Sequence, residues 1–334
     1  MNIIRKRAYA RAALVGNPSD GYGGRTLSLV VRNFAAEVVL YEWDTVEIML
    51  TEEDRARFRS VQDLALDVSL HGYYGGIRLI KATVKRFVDY CRTAGVTLHD
   101  QNFTIRYHTN IPRQVGLAGS SAIITATLRC LMEFYDVEIP VEVQPSLVLS
   151  VERDELGVAA GLQDRVAQAY EGLVYMDFSR DRERIVHGLP CYAYEPLDPA
   201  LLPPLYVAYH RGFSEPTEVF HADARARFHR GDQQVVDGMR RVAELAAAAR
   251  DALGTRDVHR LAALIDANFD VRRDIFTLPA WQVQMVNVAR ACGVSANFAG
   301  SGGAIVGTFE SGAALDALRP ALGAIGCDVI TPMV

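Results

Sequence analysis

The sequence has few cysteines, no metal-binding histidine pattern and no long apolar run. Its five cysteines are scattered and form no CxxC pair, so it predicts neither a disulfide framework nor a zinc site and favours a reduced cytoplasm. The eight histidines lack metal-ligand spacing. No apolar run reaches the roughly 20 residues that span a bilayer, and the N-terminal residues lack the apolar segment of a signal peptide. We therefore expect a cytoplasmic protein with no membrane partner.

An excess of positive charge is also absent. The 334 residues include 35 Lys and Arg against 40 Asp and Glu, a net charge of −5. Because nucleic-acid binding depends on a basic face, we expect no nucleic-acid partner. Half of the residues are hydrophobic, enough to form sizeable cores, and a chain of this length favours two domains.

Periodicity predicts a mixed α+β chain. A charged and then proline-rich break at 180–204 favours a connection between domains, and we predict domains at residues 1–185 and 186–334. The predicted strands lie at 11–16, 26–31, 34–41, 45–50, 102–108, 172–178, 205–210 and 326–331. The predicted helices lie at 75–93, 120–135, 146–156, 159–170, 216–229, 232–253, 256–270, 280–292 and 312–323.

The segment PRQVGLAGSSA, residues 112–122, leads into a predicted helix. Its glycines allow the backbone to approach a ligand closely, and a helix N-terminus offers unpaired N–H groups and a partial positive charge. This combination suits a polyphosphate, although no lysine completes a GxxxxGK[ST] loop. The alternative is an ordinary glycine turn with a serine cap. The predicted phosphate-binding residues are Pro112, Gly116, Leu117, Ala118, Gly119, Ser120, Ser121 and Ala122.

Two further segments are dense in turn-forming residues. Residues 11–24, RAALVGNPSDGYGG, end a strand in side chains that favour turns and can also bind the hydroxyl groups of a polar ligand; the alternative is a hairpin turn. Residues 297–304, NFAGSGGA, carry three glycines before an apolar strand, where the alternative is a flexible loop. The predicted substrate-binding residues are Asn17, Ser19, Asp20, Tyr22, Gly302 and Gly303.

In this order, the three segments resemble the motifs of the galactokinase–homoserine kinase–mevalonate kinase–phosphomevalonate kinase (GHMP) superfamily. The first is similar to its N-terminal substrate motif, PRQVGLAGSSA to its phosphate loop PxxxGLxSSA, and NFAGSGGAIVG to its C-terminal glycine motif. The resemblance spans residues 11–307. It implies an ATP- and Mg²⁺-dependent kinase of two domains, an N-terminal ribosomal-protein-like α/β domain with a left-handed βαβ unit and a C-terminal ferredoxin-like α+β sandwich.

A narrower resemblance is to the plant-type glucuronokinase family. It is carried by GNPSDGYGGRTLSL, IPRQVGLAGSSAI, GLQDRVAQAYEGLVYMDFS and NFDVRRDIF. It implies phosphorylation of the anomeric hydroxyl of glucuronate, giving glucuronate 1-phosphate. The alternatives are another GHMP kinase for galactose, galacturonate or a heptose phosphate, an ATP-dependent decarboxylase, and a silent sugar sensor. Asn17 departs from the Gly-Glu-His sequence of galactokinases, which disfavours galactose.

The resemblance also implies roles for individual residues. Ser121 and Glu152 match the serine and glutamate around Mg²⁺, and oxygen ligands suit this hard cation; otherwise Glu152 is an exposed helix charge. Asp164, in GLQD, matches the catalytic aspartate that accepts or orients the hydroxyl proton, with a helix N-cap as the alternative. Arg11 matches a cation beside that aspartate, or is a solvated strand-edge arginine. Arg165 is expected to point elsewhere on its helix.

An acidic sugar needs a cation, and the arginine fork matches a carboxylate. Arg25, Arg113 and the pair Arg272 and Arg273 are the candidates. We expect adenine to enter an apolar slot in the region from Trp43 to Tyr74. The expected partners are a small sugar and ATP, and the sequence leaves the oligomeric state open.

Overall fold

The structure, a computed structural model, describes the backbone of residues 3–49, 75–212 and 217–334, and the side chains of the same residues except 217–222. The charged stretch 52–58, expected to be a loop, lies outside the described residues. So does most of the region from Trp43 to Tyr74 where adenine is expected. Trp43 itself ends a strand and is 46% exposed.

The described residues form nine α-helices and twelve strands. The helices are α1 (Gly76–Thr93), α2 (Gly119–Phe134), α3 (Gln144–Ser150), α4 (Gln163–Tyr170), α5 (Thr217–His229), α6 (Gln233–Gly254), α7 (Val258–Ile275), α8 (Ala280–Ala291) and α9 (Gly312–Gly323). The strands are β1 (Ile3–Val15), β2 (Arg25–Trp43), β3 (Glu47–Ile48), β4 (Asn102–Thr109), β5 (Leu173–Asp177), β6 (Arg184–Val186), β7 (Leu189–Cys191), β8 (Ala193–Leu197), β9 (Leu205–His210), β10 (Asn297–Phe298), β11 (Ala304–Thr308) and β12 (Cys327–Ile330). No helix among these has both the length and the apolar composition to cross a membrane.

Two sheets organise the described residues and confirm the α+β class. In the larger, six-stranded sheet, β2 pairs antiparallel with β1 along one edge and with β4 and β5 along the other. β8 extends this sheet beyond β5, and β3 adds to β4 in parallel. The smaller sheet has the antiparallel order β10-β11-β9-β12. β6 and β7 form a separate hairpin.

Strands β1 and β2 are longer than the sequence predicts. The start of β1 is basic, but Arg5 and Arg7 are each 57% exposed and pair with Glu37 of β2, so their charges stay on the outer face. The predicted strands 26–31 and 34–41 are one continuous strand. Register shifts within β1 absorb the irregularity and allow the pairing to continue.

The predicted break at 180–204 contains more regular structure than expected. The hairpin of β6 and β7 lies within it, and β8 joins the larger sheet. Pro196 is compatible with a strand because β8 is at the edge of that sheet. The chain passes from one sheet to the other between Leu197 and Leu205. A division into domains at residues 185 and 186 stays a prediction.

One hydrophobic core joins the two sheets through their helices. Helix α2 packs on β1 and β2, and α6 packs on the same two strands. Leu14 of β1, Leu128 of α2 and Leu245 of α6 belong to a single buried cluster that also includes Val207 of the smaller sheet. This core holds the three glycine-rich segments in a constant arrangement.

Gly16 marks the point where β1 leaves the core and enters the first of these segments. Its φ is +103°, and a Cβ there would lie 2.3 Å from the Arg25 carbonyl oxygen and 3.0 Å from the Ala246 Cβ. Any other residue would clash with β2 and α6. The Gly16 N–H donates to the buried Asn268 Oδ1 at 2.5 Å, which ties the turn to α7.

The helical region that carries Glu152 is irregular. The sequence predicts a helix at 146–156, but α3 ends at Ser150 and Val151–Glu155 form a π turn. Such turns are rare and recur at functional sites. In this turn Glu152 is only 1% exposed.

Leu14→Ala should destabilise the fold by about 2–5 kcal/mol, because Leu14 is fully buried in the shared core and its truncation leaves a cavity. Ile3, on the same strand, is 60% exposed, so Ile3→Ala should change the free energy of unfolding by about 0.5 kcal/mol at most. Urea unfolding followed by circular dichroism measures both variants. Equal losses would contradict this account of the core.

Candidate active site

A cavity of about 500 Å³ lies where the three glycine-rich segments meet. Its volume is typical of sites for small ligands. The end of β1, the turn at 17–22, the loop before α2 and residues 300 and 301 all contribute to it. Its polar lining includes Arg11, Asn17, Asp20, Tyr22, Ser120, Glu152, Gln163, Asp164, Arg165 and Arg225.

The loop before α2 presents a helix N-terminus to this cavity. Gly116 and Ala118 have positive φ angles of 82° and 63°, and α2 begins at Gly119. Gln168 donates to the Ala118 carbonyl oxygen at 2.9 Å and stabilises this turn. Among the described residues no side chain caps the helix, so its first N–H groups have no intrahelical partner. The arrangement is suited to an anion.

The C-terminal glycine segment packs directly on this loop. A Cβ at Gly300 would lie 2.0 Å from the Gly116 carbonyl oxygen, and a Cβ at Gly303 would lie 2.7 Å from Val115 Cα. Backbone contact this close excludes any side chain. The two segments therefore form one wall of the cavity, to which the C-terminal segment contributes Gly300 and Ser301.

Some of the predicted site residues lie behind the cavity lining: Ser19, Ser121, Ala122, Gly302 and Gly303. Ser121 and Ala122 are fully buried in α2, and the Ser121 hydroxyl donates to a carbonyl of its own turn. The Ser19 hydroxyl donates to a carbonyl six residues ahead. A Cβ on Gly302 or Gly303 would meet neighbouring protein atoms at 2.3 and 2.7 Å. These residues shape the site without facing the cavity.

A buried chain of charges crosses the cavity. Arg11 pairs with Asp164, and Arg165 contacts the same carboxylate at 3.2 Å. The Arg165 Nε also donates to Glu152 at 2.8 Å. The other carboxylate oxygen of Glu152 accepts from the Ser120 hydroxyl at 2.8 Å. Both arginine side chains are 4% exposed, so the four charges are largely shielded from water.

The expectation that Arg165 points away from the site is wrong. At the start of α4 its side chain folds back, donates to the Gly161 carbonyl oxygen at 2.8 Å and continues to Glu152. Burial disfavours the charged guanidinium, but the carboxylates of Glu152 and Asp164 outweigh this effect and raise the pKa of Arg165. Sequence spacing carries no signal for this contact, because Glu152 lies on a different element.

The turn at 17–22 forms the other end of the cavity. Asn17 donates to the Gly300 carbonyl oxygen at 2.8 Å and accepts from the Gln163 side chain at 2.8 Å. Gln163 also donates to Asp20 through its side chain at 3.0 Å and its N–H at 3.3 Å. Burial, assisted by the charge of Asp164, raises the pKa of Asp20 to about 6. Apart from its place in GLQD, no feature of the sequence indicated Gln163.

The arginines considered for an acidic sugar lie in different places. Arg25 and Arg273 lie outside the cavity lining, near aspartates at 2.9 and 3.6 Å. Arg113 lines the cavity. Arg272 is 1% exposed and donates to the glycine segment. Arg225 of α5 also lines the cavity, and no pattern in the sequence indicated it.

Sequence comparison identifies relatives across most of the chain. The GHMP kinases N terminal domain matches residues 78–172. Glucuronokinase 1 of Arabidopsis thaliana is 45% identical to this chain over 310 residues, which covers 91% of the chain and 84% of that protein. Probable glucuronokinase 2 of the same plant is 44% identical over 312 residues with the same coverage.

Solved structures share the fold. The Lin0012 protein of Listeria innocua superimposes with a TM-score of 0.79 at 13% identity, over 99% of this chain and 98% of that chain. Streptococcus pneumoniae phosphomevalonate kinase gives a TM-score of 0.74 at 13% identity, over 100% and 99% of the two chains. At such low identities the superpositions establish the fold alone. The long alignments to the plant proteins establish the family relationship. The chain belongs to the GHMP kinase family, and within it to the glucuronokinase group.

Proposed function

We propose that the chain is an ATP-dependent kinase that phosphorylates the anomeric hydroxyl of glucuronate. ATP use follows from the family, and the substrate follows from identities of 45% and 44% to two plant glucuronokinases. The observation that carries the proposal is a helix N-terminus and an arginine-bound carboxylate, Asp164, lining one cavity. Phosphoryl transfer depends mainly on such positioning and charge stabilisation.

The phosphates of ATP are proposed to bind the N-terminus of α2. Gly116, Gly119 and Ser120 line the cavity there, and the unpaired N–H groups of the first turn supply donors and a partial positive charge. Leu117 and Ala118 line the same wall. The buried Ser121 and Ala122 support this turn from within the helix.

Mg²⁺ is proposed to bind beside Ser120 and Glu152. Their oxygens are 2.8 Å apart, and a hydroxyl and a carboxylate are ligands that suit this ion. Mg²⁺ is commonly held by one or two carboxylates together with the phosphates of a substrate. Ser120 replaces the predicted Ser121, whose hydroxyl is buried. The bound ion would neutralise phosphate charge.

Asp164 is proposed to orient the anomeric hydroxyl and accept its proton. The hydroxyl oxygen attacks the γ-phosphorus, and the bond from that phosphorus to the ADP oxygen breaks. Arg11, which pairs with Asp164, places a fixed positive charge beside the transferring group. Arg165 holds Asp164 and Glu152 together. It thereby keeps the proton-accepting and metal-binding carboxylates at a constant separation.

Asn17 and Asp20 are proposed to bind the other sugar hydroxyls. Both line the cavity and are held in place by Gln163. We also propose a cytoplasmic location, which is supported by five free cysteines, four of them buried.

Purified protein should release ADP with D-glucuronate faster than with galactose, galacturonate or a heptose phosphate. Asp164→Asn should lower kcat by about 10²–10⁴-fold, because the general base is lost, while ATP still binds. Coupled ADP assays and calorimetry with a non-hydrolysable ATP analogue measure the two effects. Asp181→Asn, at an aspartate 76% exposed, is the control. Absence of turnover with glucuronate would reject the substrate, and near-normal turnover of Asp164→Asn would reject the role of Asp164.

Gly119→Val should weaken ATP binding by roughly tenfold or more, because the new side chain enters the proposed phosphate site. A Cβ at Gly119 makes only ordinary van der Waals contact with the protein, since its nearest atom is 3.5 Å away. Thermal unfolding should therefore change little. Gly312, also the first residue of a helix and with nothing within 4 Å of its Cβ position, provides the control Gly312→Val. Unchanged ATP affinity in Gly119→Val would count against the loop.

Asp20 should make stability depend on pH. Its pKa is about 6 in the folded chain against an ordinary 3.8. The protonated carboxyl is therefore favoured in the folded state, and this contribution to the free energy of unfolding is fully present below pH ~4 and is lost as the pH rises through ~6. Relative to wild type, Asp20→Asn should therefore gain on the order of 2 kcal/mol in free energy of unfolding between pH ~4 and pH ~6.5. Denaturant titrations over this range measure the gain. A constant difference between the two proteins would show that Asp20 is not responsible.

A further inference from the structure

The carboxylates that line the cavity already have partners. Asp164 and Glu152 are bound by Arg11 and Arg165. Asp20 accepts hydrogen bonds from a glutamine, and the positive charges that act on it come from Arg11 and Arg165. The cations that compensate these carboxylates are therefore Arg11 and Arg165, beside the proposed site of phosphoryl transfer. A cation of the cavity lining that pairs with none of these three carboxylates is a candidate to bind an anionic ligand group.

Arg225 is such a cation. It lies on α5, lines the cavity, and its guanidinium is 3.8 Å from the position that a Cβ at Gly21 would occupy. No ion pair or hydrogen bond joins its side chain to any part of the chain that the structure describes. An arginine that lines a ligand cavity and has no partner among the described residues is suited to bind a planar anion through two parallel hydrogen bonds.

A second positive charge lies behind this end of the cavity. Arg272 of α7 is 1% exposed, donates to the carbonyl oxygens of Gly300 at 2.9 Å and Ser301 at 3.5 Å, and has no partner for its Nε. Burial lowers its pKa to about 10, so it remains charged at neutral pH. Within the described residues no carboxylate pairs with it. Because an uncompensated buried charge is costly, an anion nearby would stabilise this region.

Tyr22 lies near both arginines. Its ring packs on Phe228 of α5 with the centroids 4.8 Å apart. Burial raises the pKa of its hydroxyl, and the charges of Arg225 and Arg272 both act in the opposite direction. The Tyr22 hydroxyl therefore lies within the electrostatic field of both guanidiniums, at the end of the cavity that Arg225 lines.

We propose that Arg225 binds the carboxylate of the acidic sugar and thereby selects uronic acids over neutral sugars. This inference rests on the proposed function. Neighbouring residues lead from Asp164 to Arg225 along the cavity. Asp164 lies close enough to Asp20 for its charge to affect that carboxyl, Asp20 precedes Gly21 in the turn, and the Arg225 guanidinium is close to Gly21. In a hexuronic acid the anomeric hydroxyl on C1 and the carboxylate on C5 lie on opposite sides of the ring oxygen. A sugar bound with C1 at Asp164 and its ring oxygen towards Gly21 therefore presents its carboxylate to Arg225.

The test compares binding of D-glucuronate with binding of D-glucuronamide, which replaces the carboxylate by a neutral amide. Calorimetry on the full chain with a non-hydrolysable ATP analogue gives both dissociation constants. Arg225→Gln should weaken glucuronate binding by about 10–100-fold, because a charge-assisted bidentate contact is lost, and should leave glucuronamide binding within about twofold. Arg225→Lys should give an intermediate loss. Arg230→Gln, at an exposed arginine just beyond α5, should match wild type.

The outcomes separate this inference from the proposed function. If wild type binds glucuronate but does not phosphorylate it, while Arg225→Gln loses that binding, the carboxylate site stands and the proposed function fails. If Arg225→Gln binds glucuronate like wild type, or loses both ligands equally, the carboxylate site is wrong whatever the turnover. If wild type binds no uronate, both are wrong.

Discussion

The ion pairs of Arg165 with Glu152 and Asp164 are the contacts on which the site depends most. Removing one member of such a buried group leaves an uncompensated charge, which is strongly destabilising. These side chains therefore hold one another in place. Through these contacts the π turn that carries Glu152 is joined to α4, and Arg11 adds the end of β1. Ser120 extends the connection to the first turn of α2. One charged group thus aligns four elements that are distant in sequence.

Backbone packing complements this charged group. Gly300 lies against Gly116 so closely that neither position accepts a side chain, and Asn17 bonds to the same Gly300. The cavity consequently has two ends with separate sources of positive potential. At one end a helix N-terminus and Arg11 face the proposed phosphates, and at the other Arg225 faces the proposed carboxylate. The carboxylates lie between them, which keeps two anionic ligand groups apart.

Regular elements were predictable where their periodicity is local and strong, as in α1, α6 and α9. The predictions were wrong where tertiary pairing decides. The first residues of β1 were not predicted to be a strand, because the exposed face carries Arg5 and Arg7. Only pairing with β2 buries the other face. Similarly, β8 contains Pro196 and is a strand only because it forms a sheet edge beside β5. Propensity alone carries no information about either pairing.

The three glycine-rich segments and the helix that follows the second of them were readable from the sequence, and the family resemblance indicated Arg11, Glu152 and Asp164, which the structure brings to one cavity. The glycine-rich segments are recognisable because backbone conformation and close approach require glycine, which leaves a local trace in residue type. By contrast, only the packing of the folded chain shows that Ser120, and not Ser121, faces Glu152, and that Arg165 and Arg225 reach the cavity. The physical reason is that the direction of a side chain depends on which partners the packing of distant elements brings within hydrogen-bond distance.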